Sequence, residues 1–246
     1  MTTTAILRSE WIKMRSVRSV TGSLAAILLA TLAITILAAA TIGKAEAEKD
    51  GADLVFGAFY ALNFAQIAAI SFGATAVSTE YVNDGIRISL AAVPRRTLLF
   101  AIKMSLIGST ALAVGLLTGF SSFLVGQLFM GDHAIGLGEP GVLRAAFGSG
   151  IYLALMALFA AGLTVILRSA VAVLGLLIPF VLIVSFVVGD VAGGVADYLP
   201  DRAGQLVLHQ QVGNSSLGPW AGLAVTAGWA AAALLGGWWA IRRRDV

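Results

Sequence analysis

The sequence predicts an all-α membrane protein: six transmembrane helices, both termini cytoplasmic, preceded by an N-terminal amphipathic interfacial helix. Three observations predict it. Apolar residues fill 59% of the 246 positions and charged residues only 12%, with a mean hydropathy of +0.92. A soluble domain is about half apolar and about a quarter charged. The apolar residues fall into runs of roughly 20, the length at which a helix crosses the hydrocarbon core. The basic residues gather in alternate connections between those runs.

Residues 1–19 form the first unit. On a helical wheel Ile6, Leu7, Trp11, Met14 and Val17 share one arc, opposite Arg8, Ser9, Lys13, Arg15 and Ser16. Glu10 intrudes on the apolar arc, and Ile12 breaks the polar one. A basic amphipathic helix of this kind lies in the interface plane, with Trp11 at the headgroup level and Lys13, Arg15 and Arg18 available to phosphates or to a partner. The apolar run that follows is longer than the core of a signal peptide and is expected to stay as the first span.

The second unit, 20–246, carries the spans, at about 20–42, 54–78, 98–130, 145–167, 170–189 and 220–241. The third exceeds the ~20 residues of a crossing, so it tilts or ends in an extracellular helical turn. Gly115 and Gly119 in it make a small-xxx-small pair that allows close helix approach. Pro179 lacks an amide proton and is expected to kink the fifth span. The connection 190–219 is the longest and mixes turn signals with short apolar pieces, which predicts short helices dipping into the outer interface.

Orientation follows from arginine and lysine. With the N-terminus inside, the cytoplasmic side holds Arg8, Lys13, Arg15, Arg18, Arg87, Arg95, Arg96, Lys103, Arg168 and 242–244. The other side holds Lys44, Lys49, Arg144 and Arg202. Twelve against four places both termini in the cytoplasm. Twelve arginines against four lysines, with abundant alanine and glycine, fit a GC-rich bacterial genome, so the expected location is a bacterial cell membrane. The same placement at helix ends argues against nucleic acid as the partner of the net +3 charge.

Several chemistries are disfavoured. There are no cysteines, so there is no disulfide, zinc-thiolate site or thiol nucleophile. His133 and His209 fall in predicted extracellular loops, too isolated for a metal site. No paired carboxylates occur within a span, so no catalytic residues are assigned. No GxxxxGK[ST] occurs, so an ATP-powered role requires a separate ATPase. Within the spans Asn63, Gln66 and Ser71, and then Ser121, Ser122 and Gln127, are the polar candidates. They serve either interhelical hydrogen bonding or a pathway lining. Lys103 lies near enough to the cytoplasmic end to snorkel outward.

The cytoplasmic segment 79–97 concentrates the charge. As a helix it has an apolar stripe of Val82, Ile86, Leu90 and Val93, with Glu80, Asp84 and Arg87 opposite and an Asp84–Arg87 pair at i, i+3. Pro94 punctuates it, and Arg95 and Arg96 hold the entry to the third span. Taken alone this pattern equally describes an ordinary loop helix resting on the membrane.

The order Glu80, Gly85, Arg87, Pro94, Arg95 and Lys103 resembles the membrane subunits of ABC-2 type transporters. SEWIKMRSVRS at 9–19 looks like the interfacial helix of bacterial permeases of that family. The resemblance implies that 80–93 is a coupling helix seated in an ATPase subunit, and that Arg168 and Ser169 form a second coupling turn. It also implies a second permease copy (homodimer or heterodimer) and export, and is silent on cargo; the nearly charge-free spans suit a lipophilic or amphipathic substrate better than small ions. The chain itself would hold no cofactor, ATP being bound by the partner. Family members usually carry a threonine near Arg87, where this chain has Ile86 and Ile88. The rival expectation is an ATP-independent secondary transporter, or a stand-alone immunity or structural protein.

Overall fold

A computed structural model describes residues 3–81, 85, 95–185, 187, 193–211 and 215–243. Among them every regular element is helical and none is a strand. Among the described residues four helices are long and apolar enough to cross a membrane, and two apolar helices are shorter.

Helix α1 spans Thr3–Ser16 and α2 spans Arg18–Ala38. They are separate because Val17 between them is extended, at φ −92° and ψ 114°. The N-terminal segment is thus a helix separate from α2, with one change of face from the sequence pattern. The buried stripe is Ile6, Glu10 and Met14, spaced i, i+4, i+8 on one side of the helix. Trp11, expected beside them, is exposed along with Ile12. Glu10 is thus central to the packed face, for a reason given by the site below.

α2 runs on through a π-helical turn, Ala39–Gly43, into α3, Lys44–Ala47. The second apolar run is two helices, α4 (Leu54–Phe59) and α5 (Leu62–Ser78). At their junction the amides of Tyr60, Asn63 and Phe64 bond three residues back, to Gly57, Tyr60 and Ala61. These tighter bonds interrupt the α-helical ladder. α5 has 17 residues, short of a full crossing by itself.

α6, Arg96–Met130, is one unbroken helix of 35 residues. At 1.5 Å per residue it is about 50 Å long, well beyond a ~30 Å hydrocarbon core. α7 (Val142–Leu167) turns at once into α8 (Ala170–Pro179). At Pro179 the winding changes from α to a π-helical stretch, Phe180–Val184. The missing amide of proline is the reason.

The centre of the bundle is α7, packed against α5, α6 and the last helix, α10 (Pro219–Arg243). Two-thirds of its apolar window is buried, against 17% for α2, whose Leu29 and Leu37 face outward. α7 can be central because its neighbours meet it through small residues. A Cβ on Gly115 would lie 3.0 Å from Gly150 Cα, and one on Gly119 would strike Ser149 Oγ. A Cβ on Gly73 of α5 would overlap the Ala157 carbonyl. The pair Gly115 and Gly119 therefore packs α6 on α7, as the sequence predicts.

The connection 190–219 contains a 3₁₀ turn, Gly193–Tyr198, then α9 (Pro200–Gln205) and a second 3₁₀ turn, Leu206–Leu208. It is fastened to α10: Thr226 Oγ1 donates to the Pro200 carbonyl at 2.8 Å and Trp229 Nε1 to Tyr198 at 2.9 Å.

Candidate functional site

At the end of the bundle where α1, α5 and α6 meet, four charged side chains interlock. Lys103 Nζ lies 2.7 Å from Glu80 Oε1 and 3.2 Å from Glu10 Oε2. Lys13 Nζ lies 2.6 Å from Glu10 Oε1 and 3.2 Å from Glu80 Oε1. Two carboxylates and two ammonium groups sum to zero charge. Side-chain exposure is 3% for Glu10, 9% for Lys103 and 13% for Glu80. Lys13, at 41%, forms the wet edge.

Lys103 therefore does not snorkel out. An ammonium group this far from water is tolerable only when paired and hydrogen-bonded, and the two acids supply both. The same logic places Glu10 on the inner face of α1. Burial pulls the Lys13 pKa down, but its bond to Glu10 and the charge of Glu80 outweigh it. Lys13 is held above the ordinary lysine value.

Further bonds close the same end. Arg96 Nη1 donates to the Ile241 carbonyl at 3.0 Å, tying the start of α6 to the end of α10. Arg168 caps α7 in the left-handed conformation, φ 56° and ψ 22°. That tight reversal carries its guanidinium over the Tyr81 ring, 5.8 Å from the centroid. Ser169 then caps α8, accepting from the Ala172 amide at 3.2 Å. A cavity of about 40 Å³ is lined by Glu10, Glu80, Tyr81, Arg96, Lys103 and Ile241, among others.

Of the predicted coupling residues, Glu80 and Arg168 come together here, one residue apart through Tyr81. Arg95 is exposed and precedes α6. Gly85 is a half-buried helical position where a Cβ would lie 3.3 Å from the Glu80 carbonyl oxygen. Asp84, Arg87 and Pro94, the apolar stripe Val82, Ile86, Leu90 and Val93, and the Asp84–Arg87 pair lie outside the described residues. In α1, Lys13 joins the network, and Trp11 and Arg15, with Arg18 opening α2, face outward.

The polar residues inside the spans find partners within the fold. Asn63 Nδ2 donates to Tyr60 O at 2.9 Å and Ser71 Oγ to Ile67 O at 2.8 Å. Gln66 accepts from the buried Tyr152 hydroxyl, which in turn accepts from Gln205 Nε2 at 3.4 Å. That chain joins α5, α7 and α9. Thr35 and Ser122 pair at 2.6 Å between α2 and α6. Sequence reasoning left Glu10 and Lys103 out of the network. The readable signal was a glutamate on an apolar arc and a lysine inside a span, two misfits of opposite sign.

The far end has its own clamp. Asp53 caps α4 through the Phe56 amide at 2.8 Å and accepts from the Gln210 amide at 3.0 Å. His209 Nδ1 lies 3.2 Å from Asp53 Oδ2, and its ring stacks on Phe56 at 4.1 Å. Arg144 donates to the carbonyls of His209 and Gln210. Burial pushes the Asp53 carboxyl up, but the His209 bond and the two amides prevail and hold it below its ordinary range. Among the described residues no group of three or more metal-ligating side chains occurs.

Comparison with protein-family models, curated proteins and solved structures gives no match.

Proposed function

We propose that this chain is the membrane subunit of an ATP-driven ABC-2 type exporter in a bacterial cell membrane. It has six spans, counting the two shorter apolar helices, and both termini in the cytoplasm. It works with a separate ATPase and a second permease copy on a lipophilic or amphipathic substrate. The supporting observation is the network of Glu10, Lys13, Glu80 and Lys103. It joins the interfacial helix, the residue just before the 82–94 connection, and the first turns of the longest helix.

Mechanically, an ATPase that displaces the 82–94 connection pulls on Glu80. Through Lys103 the pull reaches α6, through Glu10 and Lys13 it reaches α1, and through Tyr81 it reaches Arg168 at the α7–α8 reversal. Paired charges suit this task because they resist separation in a dry setting, so the elements move together.

Tagged chain extracted in a mild uncharged detergent should bring down an ATPase, and the pair reconstituted in liposomes should export only with ATP. Glu80→Lys should abolish ATP-driven export, and Glu80→Lys with Lys103→Glu should restore part of it. Purified chain that transports with no ATPase present would overturn the reading in favour of a secondary transporter.

A further inference from the structure

We infer that the chain carries a binding site for an amphipathic organic cation at the end of the bundle opposite the ion-pair network. A cavity of about 600 Å³ lies between the π turn of α2, the 46–54 stretch and the end of α6. That volume is within the range of about 300–1,000 Å³ that small-molecule sites occupy. Met130 on its wall is 27 residues from Lys103 along α6, about 40 Å away at helical rise, so this site and the network are spatially distinct.

The walls are apolar and aromatic: Ala38, Ile42, Phe56, Tyr60 and Met130 among them. Phe56 and Tyr60 meet edge to face, with centroids 6.2 Å apart. Phe56 stacks one face on His209, so the exposed Tyr60 ring is the one that offers a negative face over which a cation is attracted. Ile42 and Tyr60 are exposed on the apolar exterior of the bundle, which gives a membrane-dissolved molecule a lateral way in.

The lining charge selects the sign of the guest. Asp53 is occupied by the Phe56 and Gln210 amides and His209, and of the other lining charges Glu46 and Asp50 stand against one lysine, Lys49, an excess of one negative charge. Lys49 is already engaged by Glu46 at 2.6 Å. Asp50 has no ion pair among the described residues. An apolar body fits the walls, and an ammonium or phosphonium centre fits the carboxylate rim. An anionic amphiphile of the same shape meets the wrong sign.

The test uses purified full-length chain in uncharged micelles and equilibrium dialysis against radiolabelled tetraphenylphosphonium. Tetraphenylborate, its anionic counterpart in shape, is measured in a separate dialysis. The expected result is saturable phosphonium binding at one site per chain, with tetraphenylborate bound about tenfold more weakly or worse. Glu46→Gln with Asp50→Asn, both exposed and free of core packing, should weaken phosphonium binding by about tenfold. Tyr60→Leu should weaken it by about threefold with the elution profile unchanged. Non-saturable uptake, equal affinity for the two ions, or a Kd indifferent to the double substitution would overturn the inference. Binding requires no ATPase. A chain that takes the cation but captures no ATPase therefore loses the export reading and keeps this site.

Discussion

Replacing Lys103 by methionine tests the ion-pair network most sharply. The substitution keeps the length and apolar stem of the side chain and removes one charge. These four side chains fall from a summed charge of zero to −1, and within them Glu10 and Glu80 keep the half-exposed Lys13. At an effective dielectric constant of 20, charges 2.7 and 3.2 Å apart attract by about 6 and about 5 kcal/mol. Most of that gross attraction is offset by desolvation, and breaking one partner of such a pair costs about 3–5 kcal/mol net. For a chain of this size that corresponds to a thermal midpoint lowered by about 6–20 °C. Differential scanning fluorimetry in detergent reads it directly. Glu10→Gln with Lys103→Met returns the cluster to neutrality around Lys13 and Glu80, so the double variant should recover more than half of the loss. A single variant within about 1 kcal/mol of the parent, or a double variant no better than the sum of its parts, would refute the pairing argument.

Five further outcomes follow from the same geometry. Lys13 has a raised pKa in the folded chain, so its contribution is complete below the ordinary value of 10.5 and is lost as pH rises through the higher folded value. Proteolysis within residues 3–16 should therefore be slow at neutral pH and quicken in strongly alkaline buffer. Asp53 is the opposite case: its depressed pKa stabilises the α4–His209 clamp above its ordinary value of 3.8 and is lost as pH falls through the lower folded value. Fluorescence or exchange measurements on residues 205–211 should show loosening only in strong acid. Gly73→Ala should destabilise by roughly 1–3 kcal/mol through overpacking on Ala157. Gly175→Ala, whose Cβ meets nothing within 4 Å, should be neutral or stabilising by up to about 1 kcal/mol. Arg168→Gly suits the left-handed backbone, which costs an arginine about 1 kcal/mol. It should leave the thermal midpoint unchanged or higher while reducing the ATP-driven export proposed above, because the contact with Tyr81 is gone.

The long helices were legible because their length and apolarity are properties of contiguous residues. So was the break before α2, since a change from amphipathic to uniformly apolar periodicity marks a change of surroundings. Gly115 and Gly119 announced a close crossing, though not which helix would fill it. The division of 54–78 into α4 and α5 was hidden, because the residues at the junction are as apolar as their neighbours. Gln66 read as a polar residue of undecided use until Tyr152, 86 positions away, came to lie against it.

Composition and the spacing of charge by themselves determined that this chain is helical, suited to a membrane and edged with arginine. Those features depend on how each short stretch meets its solvent. Only the tertiary structure decided that Glu10 and Lys103, each a defect in its own helix, are complementary. It likewise decided that a carboxylate rim and an aromatic pair would face one cavity. Pairing across 93 residues is a property of packing, since a buried charge is costly or stabilising according to what stands opposite it.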